Sequence, residues 1–380
     1  MESGVFIMEK KRSFFKEIIT IKETKDSLLR VFGAGFTTGI MLMAGYLLNN
    51  MQIGTFGALG AFAFLYYQPI PTKALMQRIF RVGICLVLSF LAGALSTFVP
   101  WMIPITISII SLISLLIFRI LHLPNPGSFF VIMVGSMGTG LTLPLAGIIW
   151  ATIYIACGVL VAILMASLVG VLHRKLIEEK EEYKSESFKT KFLYAIKHDQ
   201  ELLLSSIHHA GIIFFATYLG LALELGNPYW ITISCAAVLQ GRKLNVIMYR
   251  NVQRIVGGVF GLLVGMFLFS LDLNVIQTII VITILNFFVE YAMVRNYGLA
   301  NFFTNPLALL LANLSSGAFV NDLVGNRFIG LVVGSIIGFI GAALIAGAIT
   351  LFKGKEKLSE KNLNTSEKDI RKWKSRNSLL

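Results

Sequence analysis

The sequence predicts an all-α polytopic membrane protein, with about twelve transmembrane helices arranged as two parallel six-helix repeats. Three observations lead there: an apolar composition, the placement of the acids, and a register of 176 residues between two halves of the chain. The 380 residues are 56% hydrophobic and 14% charged, whereas a soluble domain is about 45–50% apolar and about 25% charged. Mean hydropathy is +0.77. Uncharged runs such as 103–117, 127–172 and 330–352 approach or exceed the length of about 18 residues that reads as a spanning helix.

Of the twenty Asp and Glu, sixteen fall in residues 1–29, 173–204 and 353–380. Those segments read as a cytoplasmic N-terminal stretch, a cytoplasmic linker and a cytoplasmic tail. Between them lie a first membrane repeat, 30–172, and a second, 205–352. Residues 1–30 lack the apolar core and small-residue cleavage site of a signal peptide. Residues 13–21 are weakly amphipathic and read either as a surface-lying helix or as a solvated tail.

Each repeat divides into six apolar segments. The first gives 30–49, 52–68, 80–98, 102–121, 127–143 and 147–172; the second gives 206–223, 228–243, 253–270, 274–291, 299–315 and 325–352. Several are short for a span of about 20 residues, and a short span has to be covered by protein. With the N-terminus inside, Lys73, Arg78, Arg81, Arg119, Arg242, Lys243, Arg250, Arg254 and Arg295 lie on the cytoplasmic side, and Arg327 alone lies outside. This obeys the positive-inside rule. It makes the net charge of +13 a topological signal and excludes nucleic acid as a partner, because the cations hug helix ends instead of forming a basic domain.

The 176-residue offset maps Gln77-Arg78-Ile79 onto Gln253-Arg254-Ile255, Arg119 onto Arg295, Asn125 onto Asn301, Gly158 onto Gly334, and Ala34-Gly35 onto Ala210-Gly211. An even number of spans per half makes the repeat parallel, and such proteins place the transported species between the halves.

Pro228-Tyr229-Trp230, the run ending in Gln240, Arg250, and Gln253-Arg254 followed by Gly257, Gly258 and Gly261 together resemble the signature of the fusaric acid resistance family, which includes the aromatic acid exporters. The resemblance covers 206 to about 352, and the first half looks like a divergent copy. Gly258 stands where members often have Thr. The resemblance implies a bacterial inner-membrane efflux protein for small, often aromatic, organic acids. The plant aluminium-activated malate channels are distantly similar, which makes a passive anion channel at the interface of the repeats the alternative.

Candidate substrate-binding residues are Arg78 and Arg254, each expected at a helix start, with Gln77, Gln253, Arg119, Arg295, Asn125 and Asn301. A guanidinium binds a carboxylate through two parallel hydrogen bonds; the competing reading is that these arginines hold headgroups or loop carbonyls. Tyr229 and Trp230 read as an interfacial aromatic belt or as a stacking surface for an aromatic substrate. Glu290, sixteen residues after Asn274 and so about 24 Å along the helix, reads as a proton relay or as an interfacial acid near Arg295. Gly330, Gly334 and Gly338 form a packing face expected to join halves or protomers. There is no nucleotide-binding Gly-rich motif, and Cys85, Cys157 and Cys235 have no metal spacing. No enzyme activity and no cofactor are expected. The expected partners are the lipid bilayer, a small organic acid and a second copy of the chain in a homo-oligomer.

Overall fold

The computed structural model describes residues 27–121, 126–176, 200–241, 244–316 and 322–348, with Ile18, residues 20–24 and Leu123. Among the described residues there are twelve α-helices and no strand. They are α1 (Leu28–Leu47), α2 (Met51–Ala61, continued by a 3-10 turn, Phe62–Tyr66), α3 (Thr72–Ser96), α4 (Ile103–Ile120), α5 (Phe129–Gly138), α6 (Leu145–Leu176), α7 (Gln200–Ala222), α8 (Tyr229–Val238), α9 (Leu244–Phe269), α10 (Val275–Met293), α11 (Tyr297–Ser316) and α12 (Asp322–Ala348). Each falls on one expected apolar segment. The N-terminal stretch before Ile18, most of the linker and the whole tail lie outside the described residues.

Local chemistry sets the boundaries. Ser27 and Asn50 cap α1 and α2 through their side-chain oxygens, satisfying donors that a helix start leaves open. Asn274 and Gln277 cap α10 reciprocally, a capping box. Asn49, at φ 50°, and Glu224, also at φ 50°, make the tight turns into α2 and α8. Asn tolerates that left-handed conformation better than Glu does. Helix α6 overruns the expected boundary at 172, with His173, Arg174 and Lys175 in its last turn, where cations meet the negative end of the helix dipole.

Among the described residues, eight helices are long and apolar enough to cross a membrane: α1, α3, α4, α6, α7, α9, α10 and α12. Of the twelve expected segments in this multi-pass membrane protein, eight meet that description. Helices α5 and α8 have ten residues each, so each is about 15 Å long, half of the roughly 30 Å hydrocarbon core. Their neighbours cover them. Every residue of α8 from Trp230 to Val238 is buried, as is every residue of α2 from Gly54 to Ala61. A helix end survives at that depth because protein surrounds it. Helix α11 has the length to span, but it carries Pro306 inside it together with Asn301, Asn305 and Asn313.

In each half the second and fifth helices fall outside the eight. In the first half α1 packs on α2, α3 on α5 and α2 on α6; in the second, α7 packs on α8, α9 on α11 and α8 on α12. Among the described residues the halves are joined by α4 on α7, α1 on α10, the short helices α5 on α8, and α2 on α11. In the first seam Ser108 Oγ donates to Ala210 O (2.9 Å), and Ser111 Oγ and His209 Nδ1 share a hydrogen bond (2.9 Å). In the second, Asn286 Nδ2 donates to Thr38 Oγ1 (2.9 Å), and the Arg30 and Glu290 side chains pair at 2.7 Å.

Gly330, Gly334 and Gly338 do not join the halves. They lie against Trp230, Ile231, Ser234 and Cys235 and seat α12 on α8 within the second half. Gly158 does the same for α6, over Gly57 of α2. The segment before α1 crosses to the second half. Ile18 O accepts from Gln253 Nε2 and Asn296 Nδ2, both at 2.9 Å, Thr20 O also accepts from Asn296, and Lys22 N donates to Arg295 O.

Candidate functional site

The polar centre of the molecule lies where α9 meets α11. A Cβ on Gly257 would come within 2.1 Å of Gly298 O, and one on Gly261 within 2.5 Å of Phe302 O. Only glycine allows the two backbones to approach so closely. The side chain one turn before Gly258, Arg254, is then pressed onto α11. It is 4% exposed. Its Nη1 donates to Tyr297 Oη (3.2 Å) and Asn301 Oδ1 (3.1 Å), and its Nη2 to Ser234 Oγ of α8 (3.1 Å). Its Nε is buried without a partner.

Tyr297, Asn301 and Asn305 recur every four residues and form one stripe along α11. Asn301 Nδ2 donates to Tyr297 O (2.7 Å) and Asn305 Nδ2 to Asn301 O (3.0 Å). Each amide nitrogen is thereby held on its own helix, and each Oδ1 faces a cation. Asn301 Oδ1 takes Arg254; Asn305 Oδ1 takes Nε of Arg327 from α12, at 2.9 Å. Arg327 is 4% exposed and lies over the Trp230 ring, 5.0 Å from its centroid. At the other end Arg250 lies 3.9 Å over the Tyr297 ring. Three guanidiniums thus line one polar stripe.

Helix α9 begins at Leu244, so Arg254 is about 15 Å along it, not at a helix start. Helix α12 begins at Asp322, so Arg327 is about 8 Å inside and is no outer-loop charge. Insertion-based scales put an Arg at the centre of a span at about 3 kcal/mol unfavourable, so an arginine inside an apolar helix has to be held by protein. Neither Arg254 nor Arg327 has a carboxylate partner: among the described residues the ion pair is Arg30–Glu290. Hydroxyl and amide dipoles, with the Trp230 ring against Arg327, hold these charges without neutralising them, so the arrangement attracts an anion.

The other expected residues are placed differently. Arg78 donates to Gln68 Oε1 within the first half, while Arg254 is held by Tyr297, Asn301 and Ser234 within the second. Gln77 is exposed. Gln253 binds Ile18 O. Arg119 donates to Ser205 Oγ (2.6 Å) in the α4–α7 seam. Arg295 turns back onto Tyr291, donating to its carbonyl and stacking on its ring. Asn125, Arg242 and Lys243 lie outside the described residues. Trp230 is 3% exposed and Tyr229 is half-buried against Gly140, so the pair faces protein and is no lipid-facing belt. Glu290 pairs with Arg30 and not with Arg295.

Sequence reasoning missed Ser234, Tyr297, Asn305 and Arg327. The four-residue spacing of Tyr297, Asn301 and Asn305 was the available signal. At the 176-residue offset the first half has Ala58, Ala74, Leu121, Phe129 and Ala151 where the second has Ser234, Arg250, Tyr297, Asn305 and Arg327. The polar stripe belongs to one half.

That half is also where the comparisons fall. Residues 212–341 match the model of the fusaric acid resistance protein-like family. The matched residues lie within the second half. Over 145 residues the chain is 28% identical to the uncharacterized membrane protein YvaC of Bacillus subtilis (strain 168), covering 38% of this chain and 23% of that protein. The matched stretch thus spans less than a quarter of that relative's length. No solved structure matches. All seven residues of the polar stripe and its cradle, from Ser234 to Arg327, lie within the matched residues 212–341.

Proposed function

We propose that the protein exports small organic acid anions, aromatic ones among them, across a bacterial inner membrane along the Arg250–Arg254–Arg327 stripe. The observation behind this reading is the buried, acid-free Arg254 on its cradle of Ser234, Tyr297 and Asn301. Two parallel six-helix repeats with cytoplasmic termini are the architecture that goes with it, supported by the matching helix order and pairings of the halves. Cytoplasmic cations would concentrate an ionised acid at its entry side, and a membrane potential, inside negative, favours anion exit by about 2.3 kcal/mol per charge per 100 mV.

A passive anion channel is the second reading, and that same voltage term favours it, since exit needs no coupling. Proton coupling through Glu290 would require the carboxylate to leave Arg30. The deciding experiment is efflux of benzoate from proteoliposomes, clamped near zero voltage, with an inward pH gradient. Uphill flux that Arg254→Gln abolishes supports the exporter. Flux that follows only voltage and the benzoate gradient establishes the channel. Wild-type flux in Arg254→Gln overturns the path itself.

A further inference from the structure

We propose that the guanidinium edge of Arg327 is a carboxylate-binding station at the α12 end of the stripe. This rests on the anion-path reading and adds where the anion's charged end is held. Two arginines compete for that role, and their hydrogen bonding separates them. Arg254 has both Nη atoms committed to Tyr297, Asn301 and Ser234. Arg327 has only Nε committed, to Asn305 Oδ1. Its Nη1 and Nη2 have no hydrogen-bond partner among the described residues, although the residue is 4% exposed.

An open guanidinium edge in that setting has a defined specificity. The Asn305 amide is fixed by its own bond to Asn301 O, so Oδ1 cannot swing away and the plane of the guanidinium is set. Trp230, 3% exposed, covers one face. Asp322, the acid nearest in sequence, is exposed and forms no ion pair with Arg327 among the described residues. What remains is two parallel N–H directions in one plane, which fit the two oxygens of a carboxylate. A halide accepts at one point, and a neutral amide brings no charge to the cation. A carboxylate is therefore favoured over a halide or a neutral amide as the ligand. Positive-inside counting hides this residue, because it assigns Arg327 to the outer loops.

The test is saturation binding of radiolabelled benzoate to the purified full chain in detergent, with acetate, chloride and benzamide as competitors. Wild type is expected to bind benzoate saturably; acetate should compete, and benzamide should not. Arg327→Gln should abolish binding, and Arg327→Lys should weaken it by about tenfold or more, since an ammonium keeps the charge and loses the planar edge. Arg81→Gln, an exposed cation on α3, should bind as wild type. If the Gln variant does not purify as a single species, the Lys variant decides alone. Undiminished benzoate binding in the Arg327 variants overturns the station. So does complete competition by chloride at equal concentration, or the absence of saturable binding in wild type. Loss of efflux in Arg254→Gln with normal binding and efflux in the Arg327 variants rejects the station and keeps the path. Normal efflux in both rejects the two together.

Discussion

Asn301 holds two roles in one side chain: its Nδ2 is tied to Tyr297 O and its Oδ1 receives Arg254. Leucine there would keep the volume and remove the acceptor, leaving a buried guanidinium with one bond fewer. An unmet buried donor costs about 1–3 kcal/mol, more when it is charged. Asn301→Leu is expected to lower the thermal midpoint of the purified protein and to abolish benzoate efflux; an unchanged midpoint would show that Arg254 does not depend on it. Arg254 and Asn301 were legible in the sequence, from the repeat register and from a cation inside an apolar segment. Ser234 and Arg327 were not. A serine in an apolar helix gives no signal until its neighbour is known. Arg327 reads as exposed when its apolar run is started at 325, whereas the helix starts at Asp322.

At the scale of elements, the glycines of α9 set the spacing on which the stripe depends. Gly261→Val would push its side chain into Phe302 O and Asn301 O. Over-packing of that kind costs about 1–3 kcal/mol, and here it also pries Arg254 from Asn301. Lower thermal stability together with lost efflux is expected; efflux at the wild-type rate would show that the approach of α9 to α11 is not needed. All twelve helices were legible as apolar segments, because a long uncharged run is stable in lipid chiefly as a helix, with its backbone bonds closed within itself. Their roles were less so. The shortness of α2, α5 and α8 was visible, but their burial was not, since hydropathy does not distinguish a helix facing lipid from one wrapped in other helices. The packing face of Gly330, Gly334 and Gly338 was recognised, and its partner α8 was not, because spacing names a face and leaves the neighbour open.

At the scale of the molecule, the α4–α7 and α1–α10 seams between the halves differ in chemistry. One is neutral apart from Arg119. The other holds the Arg30–Glu290 pair, with side chains 13% and 8% exposed. Removing one partner of a buried pair costs about 3–5 kcal/mol, because the other charge stays behind. Arg30→Glu and Glu290→Arg, each alone, should therefore destabilise the purified protein strongly, and the double exchange should recover much of the loss. Failure of the double variant to improve on either single one would show that the pair does not hold this seam. From the sequence two halves are expected, and from the number of segments a parallel sense for them. It did not reveal which helices form the seams, since cross-half neighbours such as Arg30 and Glu290 are 260 residues apart.

Ile18 and Thr20 have a longer wait. Their carbonyls are received by Asn296, up to 278 residues further on. During synthesis these residues emerge early, yet the amides that hold them exist only after α10 has been made. The halves are consequently interlaced in time as well as in space. The first half can collapse on its own apolar core while the segment that leads into it stays undocked. A fragment beginning at Gln200 would retain the whole polar stripe but lose the carbonyls that Gln253 and Asn296 are built to hold. The chain is best regarded as fastened from its earliest described residue by its later half.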